Sequence, residues 1–309
     1  MDESITLRRL SVFCLVVDAG GVTRAAEQLL VAQPSVSGQL RSLERSLGAT
    51  LFVRSGGGLV LTEAGERVYQ WAKEVLASSV QVQRDVDDLV AGTAGSLVAA
   101  ASMAIGTYLL PPVMTALRAE RTGADITVQI SEPEIALRAT QRGTVDLAVT
   151  SWIEGEMPDA LVGEKLWEEP IVVCASPNGP PHSDSVTLAE LAGLPLVGVP
   201  TGVSYHRMLV EQLRAHGVPE LPAVIRLGHA EAIKEAVAAN GWVSLSVGYT
   251  MRADLASGRL RAVRIRDAHL VEGIGLYHRE AKYFSPLQSA AIEALRELGR
   301  SRRAVTRGP

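Results

Sequence analysis

Apolar residues recur along this chain with two different periods, and the change of period divides it. Up to about residue 91 the spacing is helical. Leu7, Leu10, Val12, Phe13, Val16 and Val17 predict an amphipathic first helix that ends near Gly20-Gly21. Ala25, Ala26 and Leu29 share one side of RAAEQLL, with Thr23 as its cap. Val36, Leu40, Leu43 and Leu47 form the buried stripe of a third helix. Pro34 suits its first turn, where the missing N–H would be unpaired anyway. The join at 30–33 is so short that the two helices must cross steeply, and Ala25 and Ala26 are small enough to sit at the crossing. That layout predicts a helix-turn-helix, although a two-helix corner of any all-α core would share it.

Two short apolar runs, LFVR and LVL, flank Ser55-Gly56-Gly57-Gly58 and predict a β-hairpin. Such a wing can lie along a phosphate backbone, with Arg54 at its root as the contact. Thr62 then caps a helix that has acidic residues in its first turn and runs to about Ala91. Along it Val68, Val75, Val82 and Leu89 are spaced by seven, with Ala72, Ser79 and Val86 between them. This a/d heptad, flanked by Asp85, Asp87 and Asp88, predicts pairing with the same helix of a second copy. Pairing would set two helix-turn-helices on a two-fold axis, the arrangement that reads a palindromic site.

Residues 92–96 are small and predict a hinge. Beyond it short apolar runs alternate with helical segments. Strands are predicted near 97–101, 126–130, 145–150, 161–167, 171–175, 195–199, 223–227, 242–247, 263–266 and 273–277. Helices are predicted near 106–120, 133–141, 205–216, 229–240 and 286–299. The alternation means βαβ units and a mostly parallel sheet, so the fold class is α/β behind an N-terminal helical head.

The chain has 309 residues, 47% of them hydrophobic and 21% charged, which predicts a globular protein of two or three domains. Net charge is −4, so binding to nucleic acid over the whole surface is excluded. Residues 4–60, however, carry Arg8, Arg9, Arg24, Arg41, Arg45 and Arg54 against Asp18, Glu27 and Glu44, a local +3. Cys14 and Cys174 sit in apolar runs and read as small buried hydrophobes. No Cys/His spacing suits a metal, and no cofactor is expected. The N-terminus has no basic stretch before an apolar one, so no signal peptide is visible and the cytoplasm is expected. The uncharged stretch between Asp88 and Arg118 is long enough for a membrane span, but its glycines, serines and prolines break it into shorter elements.

In open parallel sheets ligands bind beyond the carboxyl ends of strands, near helix N-termini. Ser102 with Met103, Ser131 and Thr150 follow the first three strands of the α/β region. Thr201, Gly202, Val203 and Ser204 follow a later strand and open a helix, and His229 starts another. These groups suit a small anion, with Met103, Trp152 and Val203 admitting a partly apolar one. Each hydroxyl alone is equally explained as a helix cap. Catalysis is not expected: GVSYH lacks the second glycine of a nucleophile elbow, no GxGxxG follows a strand, and neither a Walker lysine nor HExxH is present.

The segment TRAAEQLLVAQPSVSGQLRSLERSLGATLF followed by RSGGGLVLTEAG, together with SMAIGTYLLPPVM, GTVDLAVT, AEAIKEAVAANG and LASGRL, resembles the LysR-type transcriptional regulators over nearly the whole chain. The resemblance implies a winged helix-turn-helix at 1–61, a linker and dimerisation helix at 62–91, the hinge at 92–96 and an effector-binding domain at 97–309. It implies that this last domain is two-lobed, like a periplasmic binding protein, with lobes at about 97–167 plus 268–309 and 168–267 and an effector between them. It also implies a dimer paired into a tetramer on double-stranded promoter DNA, and contact with RNA polymerase. By position it assigns DNA contacts to Thr23, Arg24, Gln33, Pro34, Ser35, Ser37, Gln39, Arg41 and Arg54. Ala32 stands where the family usually has Ser or Thr, and Gly38 where it has a long polar residue. Gly57 and Val60 replace residues that are often basic. A weak, salt-sensitive grip that depends on the oligomer is expected. A solute-binding protein whose N-terminal helices serve only for assembly is the alternative.

Overall fold

The computed structural model describes residues 5–55, 58–91, 95–152, 155, 157–280 and 282–306. The side chains at 54, 55, 58, 85, 87–89, 91 and 304–306 lie outside the description. The expected roles of Arg54, Leu89, Asp85, Asp87 and Asp88, and of Gly57, therefore fall outside the described residues. The chain forms two compact units: Met1–Gly92 with Gln141–Thr144 and Arg279–Tyr283, and the remainder.

In the first unit α1 (Leu7–Asp18), α2 (Val22–Leu29) and α3 (Gln33–Leu47) precede a hairpin of β1 (Phe52–Ser55) and β2 (Gly58–Leu61), and α4 (Glu63–Ala91) follows. The core gathers around Phe13, whose ring meets Phe52 edge-on at 5.4 Å and Tyr69 at 6.4 Å. Leu10, Leu40, Leu43 and Leu51 close it, and Ala25 and Ala26 are buried as the steep crossing requires. Thr23 is not the cap of α2. Gly21 is, with φ 149, and Thr23 lies exposed in the first turn. Leu30 makes the join to α3 in the left-handed region, φ 53, with 93% of its surface exposed. The hairpin is tied to the helices by polar bonds. The Leu51 N–H donates to Glu44 at 2.8 Å. Thr62 accepts from the Gly65 N–H at 2.9 Å, as a cap should, and its hydroxyl donates to the Thr50 carbonyl at 2.7 Å.

The heptad of α4 divides in use. Ala72 is fully buried in this unit's own core, with Val68 and Val75 packed beside it, so Ala72 presents no surface to a second helix. Farther along, Val82 is 60% and Val86 46% exposed. They continue a line begun by the exposed Trp71 and Ser78, two residues the seven-residue count passed over.

The second unit is built on one ten-stranded sheet, eight strands along a single path and two beside it, which folds as two halves. The first half comprises β3 (Ser96–Ala101), β4 (Asp125–Ile130) and β5 (Leu147–Ser151), parallel to one another, with α5 (Leu110–Glu120) and α6 (Pro133–Gln141) between them. Before α5 the chain makes a π-helical turn at Ile105–Leu109, where Pro111 and Pro112 remove two successive backbone donors. Next comes β6, a single strand from Leu161 to Ala175, where two runs broken at Pro170 were expected. The pairs with the second half begin at Ile171, so Pro170 sits just outside that ladder and need not donate. The second half adds β7 (Ser185–Val186), α7 (Leu188–Ala192), β8 (Leu196–Gly198), α8 (Ser204–Ala215), β9 (Ala223–Arg226), α9 (Ala230–Asn240), β10 (Val243–Val247), α10 (Arg252–Ala256) and β11 (Arg261–Ile265). Then β12 (Val271–Arg279) returns to pair antiparallel with β5, and α11 (Pro286–Thr306) follows. The order is β4-β3-β5-β12-β6-β10-β8-β9. A continuous apolar core runs through both halves, from Leu97 and Leu147 to Val173 and Leu245.

Candidate functional site

Two surfaces carry the functional expectations. On the first unit, Gln33, Pro34, Ser35 and Arg41 are exposed on α3, and Ser37 and Gln39 are half-buried beside them. Val36, Leu40 and Leu43 are buried; Pro34, Ser35 and Arg41 lie on the far side of the helix from them, and Gln33, Ser37 and Gln39 lie nearer the edges of that stripe. The helix begins at Gln33 with no side-chain cap, because the Ala32 side chain has no oxygen to offer the free N–H groups. Pro34 has no N–H to satisfy there, and the Ser35 N–H donates to the Ala32 carbonyl at 2.9 Å. Arg24 is exposed on α2 and donates to the Ala19 carbonyl at 3.3 Å. Arg41 is exposed, and Arg45 donates to its backbone carbonyl at 3.3 Å.

On the second unit, a cavity of about 130 Å³ opens where the strand ends of the two halves face each other. Of the expected ligand residues, Ser102, Met103, Ser131, Val203 and His229 line it. Thr150, Thr201, Gly202 and Ser204 do not. Thr150 is buried and its hydroxyl donates to the Ser151 carbonyl on its own strand. Thr201 and Gly202 are exposed on the loop ahead of α8. Ser204 turns away, because its hydroxyl donates to Glu134 at 3.1 Å while Arg207 pairs with the same carboxylate. On another side of the cavity the Tyr108 hydroxyl donates to Glu231 at 2.5 Å. Both bonds join an element of the first half to one of the second, so the cavity is framed by polar bridges.

The residues that sequence reasoning missed are in the floor. Glu272 on β12 is 3% exposed and lines the cavity. The Ser151 hydroxyl donates to it at 2.5 Å and the Tyr249 hydroxyl at 2.9 Å. Burial pushes its carboxyl above the ordinary value, and these two bonds only partly offset that. Tyr205 also lines the cavity, its hydroxyl buried without a partner among the described residues. The expectation of an anionic ligand rested on hydroxyls and helix starts. The lining adds two carboxyls, Glu132 and Glu272, and neither Arg nor Lys among the described residues. Among the described residues no group of His, Cys, Asp and Glu is arranged to hold a metal ion, and no helix is long and apolar enough to cross a membrane.

Comparison with known proteins covers both units. Residues 7–66 match the bacterial regulatory helix-turn-helix proteins of the lysR family, and residues 91–300 match the LysR substrate binding domain. An uncharacterised HTH-type transcriptional regulator of Escherichia coli K12, YeiE, is 30% identical over 91% of this chain and 94% of its own. The HTH-type transcriptional regulator CfxR of Cupriavidus necator is 29% identical over 96% and 92%. Among solved structures, full-length CbnR complexed with its target DNA aligns at a TM-score of 0.59 with 19% identity, covering 96% of this chain and all of that one. A full-length OxyR variant from Pseudomonas aeruginosa aligns at 0.61 with 23% identity, covering 96% and 95%. The structural likenesses carry the fold. The matched domains and the full-length relatives carry the family, and the chain belongs to the LysR-type transcriptional regulators.

Proposed function

We propose that this regulator grips promoter DNA through the exposed first turns of α3, assembles through α4, and is gated by a small molecule in the cleft between the two halves of its second unit. The carrying observation is the exposure of Gln33, Ser35 and Arg41 on α3, a helix that follows directly on α2 and precedes a two-stranded wing. Ser37 and Gln39 add to it, Thr23 and Arg24 flank it on α2, and Arg54, one pair from the turn of the wing, completes the reading as a phosphate contact. One such head reads few base pairs, so the functional unit is a dimer, paired into a tetramer that presents its face to RNA polymerase. A solute-binding role with the helical head used only for assembly gains nothing from those exposed residues.

Fluorescence anisotropy with the promoter region upstream of the protein's own coding sequence tests the grip. Log affinity should fall linearly with log salt. Arg41→Ala and Arg54→Ala should each weaken binding and reduce the slope by about 1 if the contact is a phosphate, or cost about 1–3 kcal/mol with relaxed specificity if it is a base. Salt-independent binding, or affinity unchanged in both variants, would remove the groove assignment.

A further inference from the structure

The regulator reading leaves the ligand's chemistry open, and the cavity lining constrains it. Apart from His229, the ionisable side chains among the described lining residues are the carboxyls of Glu132 at the exposed rim and Glu272 in the floor, with no Arg or Lys. His229 is engaged as the cap of α9, its Nδ1 accepting the Glu231 N–H at 3.2 Å. Glu272 receives one hydroxyl on each oxygen, from Ser151 and Tyr249, and each oxygen keeps a second lone pair. The Ser102 and Tyr205 hydroxyls border the same cavity, buried and without a hydrogen-bond partner among the described residues. Buried hydroxyls are normally satisfied, so two left open in one cavity point to a group that arrives from outside. The remaining walls, Val203, Ile233, Leu245 and Val247, are apolar. A carboxylate or phosphate placed here would be desolvated beside Glu272 with no Arg or Lys in the described lining to offset the repulsion.

Resting on the effector-cleft reading above, we propose that the cleft takes a small ligand bearing a protonated primary amine, seated on Glu272 with its aliphatic body against Val203, Ile233 and Val247. An ammonium group has three donors and no acceptor, which suits a free carboxylate lone pair together with the hydroxyl oxygens of Ser102 and Tyr205. Its charge also offsets the burial that raises the Glu272 carboxyl.

The test uses the full chain and matched straight-chain probes, primary amines from ethylamine to hexylamine against carboxylates and alcohols of the same length. Thermal shift and titration calorimetry rank them, and promoter anisotropy is measured with and without each. Amines should stabilise the protein most, and Glu272→Gln should weaken their binding about tenfold or more, while Glu132→Gln at the rim changes it less. If Glu272→Gln does not fold, Ser102→Ala, which leaves the Glu272 network intact, should still weaken the amine. Carboxylates or alcohols that stabilise as well as amines, amines that give no shift, or an amine affinity indifferent to both Glu272→Gln and Ser102→Ala, overturn the assignment. Amine binding that depends on Glu272 but leaves DNA affinity unchanged defeats the gating reading and keeps the ligand class. A carboxylate that alters DNA affinity does the reverse.

Discussion

Single residues carry much of what distinguishes this chain. Gly65 stands in the first turns of α4 because a Cβ there would overlap the Leu51 carbonyl and crowd Leu61. Gly65→Ala is expected to lower stability by about 1–3 kcal/mol through overpacking at the wing, read by denaturant unfolding. The two cysteine thiols are pushed up to about 12, mainly by burial, which suits the small hydrophobes expected from their apolar runs. Lys234 and Asp254 form a buried pair at 2.7 Å, and Arg259 adds a second bond to the aspartate. Burial alone would raise the Asp254 carboxyl, but Lys234 and Arg259 outweigh it and hold the group below its ordinary 3.8. A depressed value in the folded state contributes stability above the unfolded value, and that contribution is lost as pH falls through the lower one. Stability should therefore decline below about pH 4, and Asp254→Asn should flatten that acid limb in thermal melts. Lys234→Met, which leaves the buried aspartate short of a partner, should cost about 3–5 kcal/mol. At this scale the sequence was half legible. Ser102 and His229 announce themselves by following strands or opening helices. Glu272 does not, because an acid in an alternating strand reads as a solvent-facing position until the opposing Tyr249 and Ser151 are seen to cover it.

At the scale of elements, periodicity located the helices well and misjudged what some of their faces do. The α4 heptad count is correct as arithmetic, but a count of sevens cannot tell a stripe that meets its own domain from one that meets a partner. Tertiary packing took Ala72 inward and left Trp71, Ser78, Val82 and Val86 outward. If the outward line is the seam between copies, Val82→Glu or Val86→Glu should dissociate the protein in sedimentation velocity without changing its helical circular dichroism. An unchanged sedimentation coefficient would move the seam elsewhere. The α/β order was readable because strands and helices alternate with clear breaks. The π turn before α5 was not, since two prolines ordinarily mark only a helix start. Nor was the continuity of β6, since a proline inside a run normally ends a strand. The exemption at Pro170 arises from a change of pairing partner, which is a fact of topology rather than of local sequence.

For the molecule as a whole, charge and function are segregated. A net of −4 with a head carrying +3 confines nucleic-acid attraction to one small part. The rest of the surface does not compete for phosphate. The missing cap at Ala32 and the glycine at position 38 weaken that head further, the latter by about 1 kcal/mol of helix propensity relative to Ala. Family membership was legible from short motifs spread over the chain, while the sign of the ligand was not, because it depends on which side chains from four separate segments converge.

The strand order of the second unit has a consequence for how the protein is made. β3, β4 and β5 leave the ribosome early, yet the strand that lies against β5 is β12, and α11, whose Leu287, Ala291 and Leu295 complete the same core, comes later still. Through the whole interval in which residues 152–270 are being translated, the edge of β5 has no β12 beside it, and the inserted half can close only near the end of that interval, once β11 is made. The nascent chain thus carries an open, apolar sheet edge for more than a third of its synthesis, the kind of edge that recruits strands from neighbouring chains. Premature termination between residues 152 and 271 would release that edge permanently, so products truncated in that interval are expected to be aggregates and chaperone clients rather than soluble half-regulators.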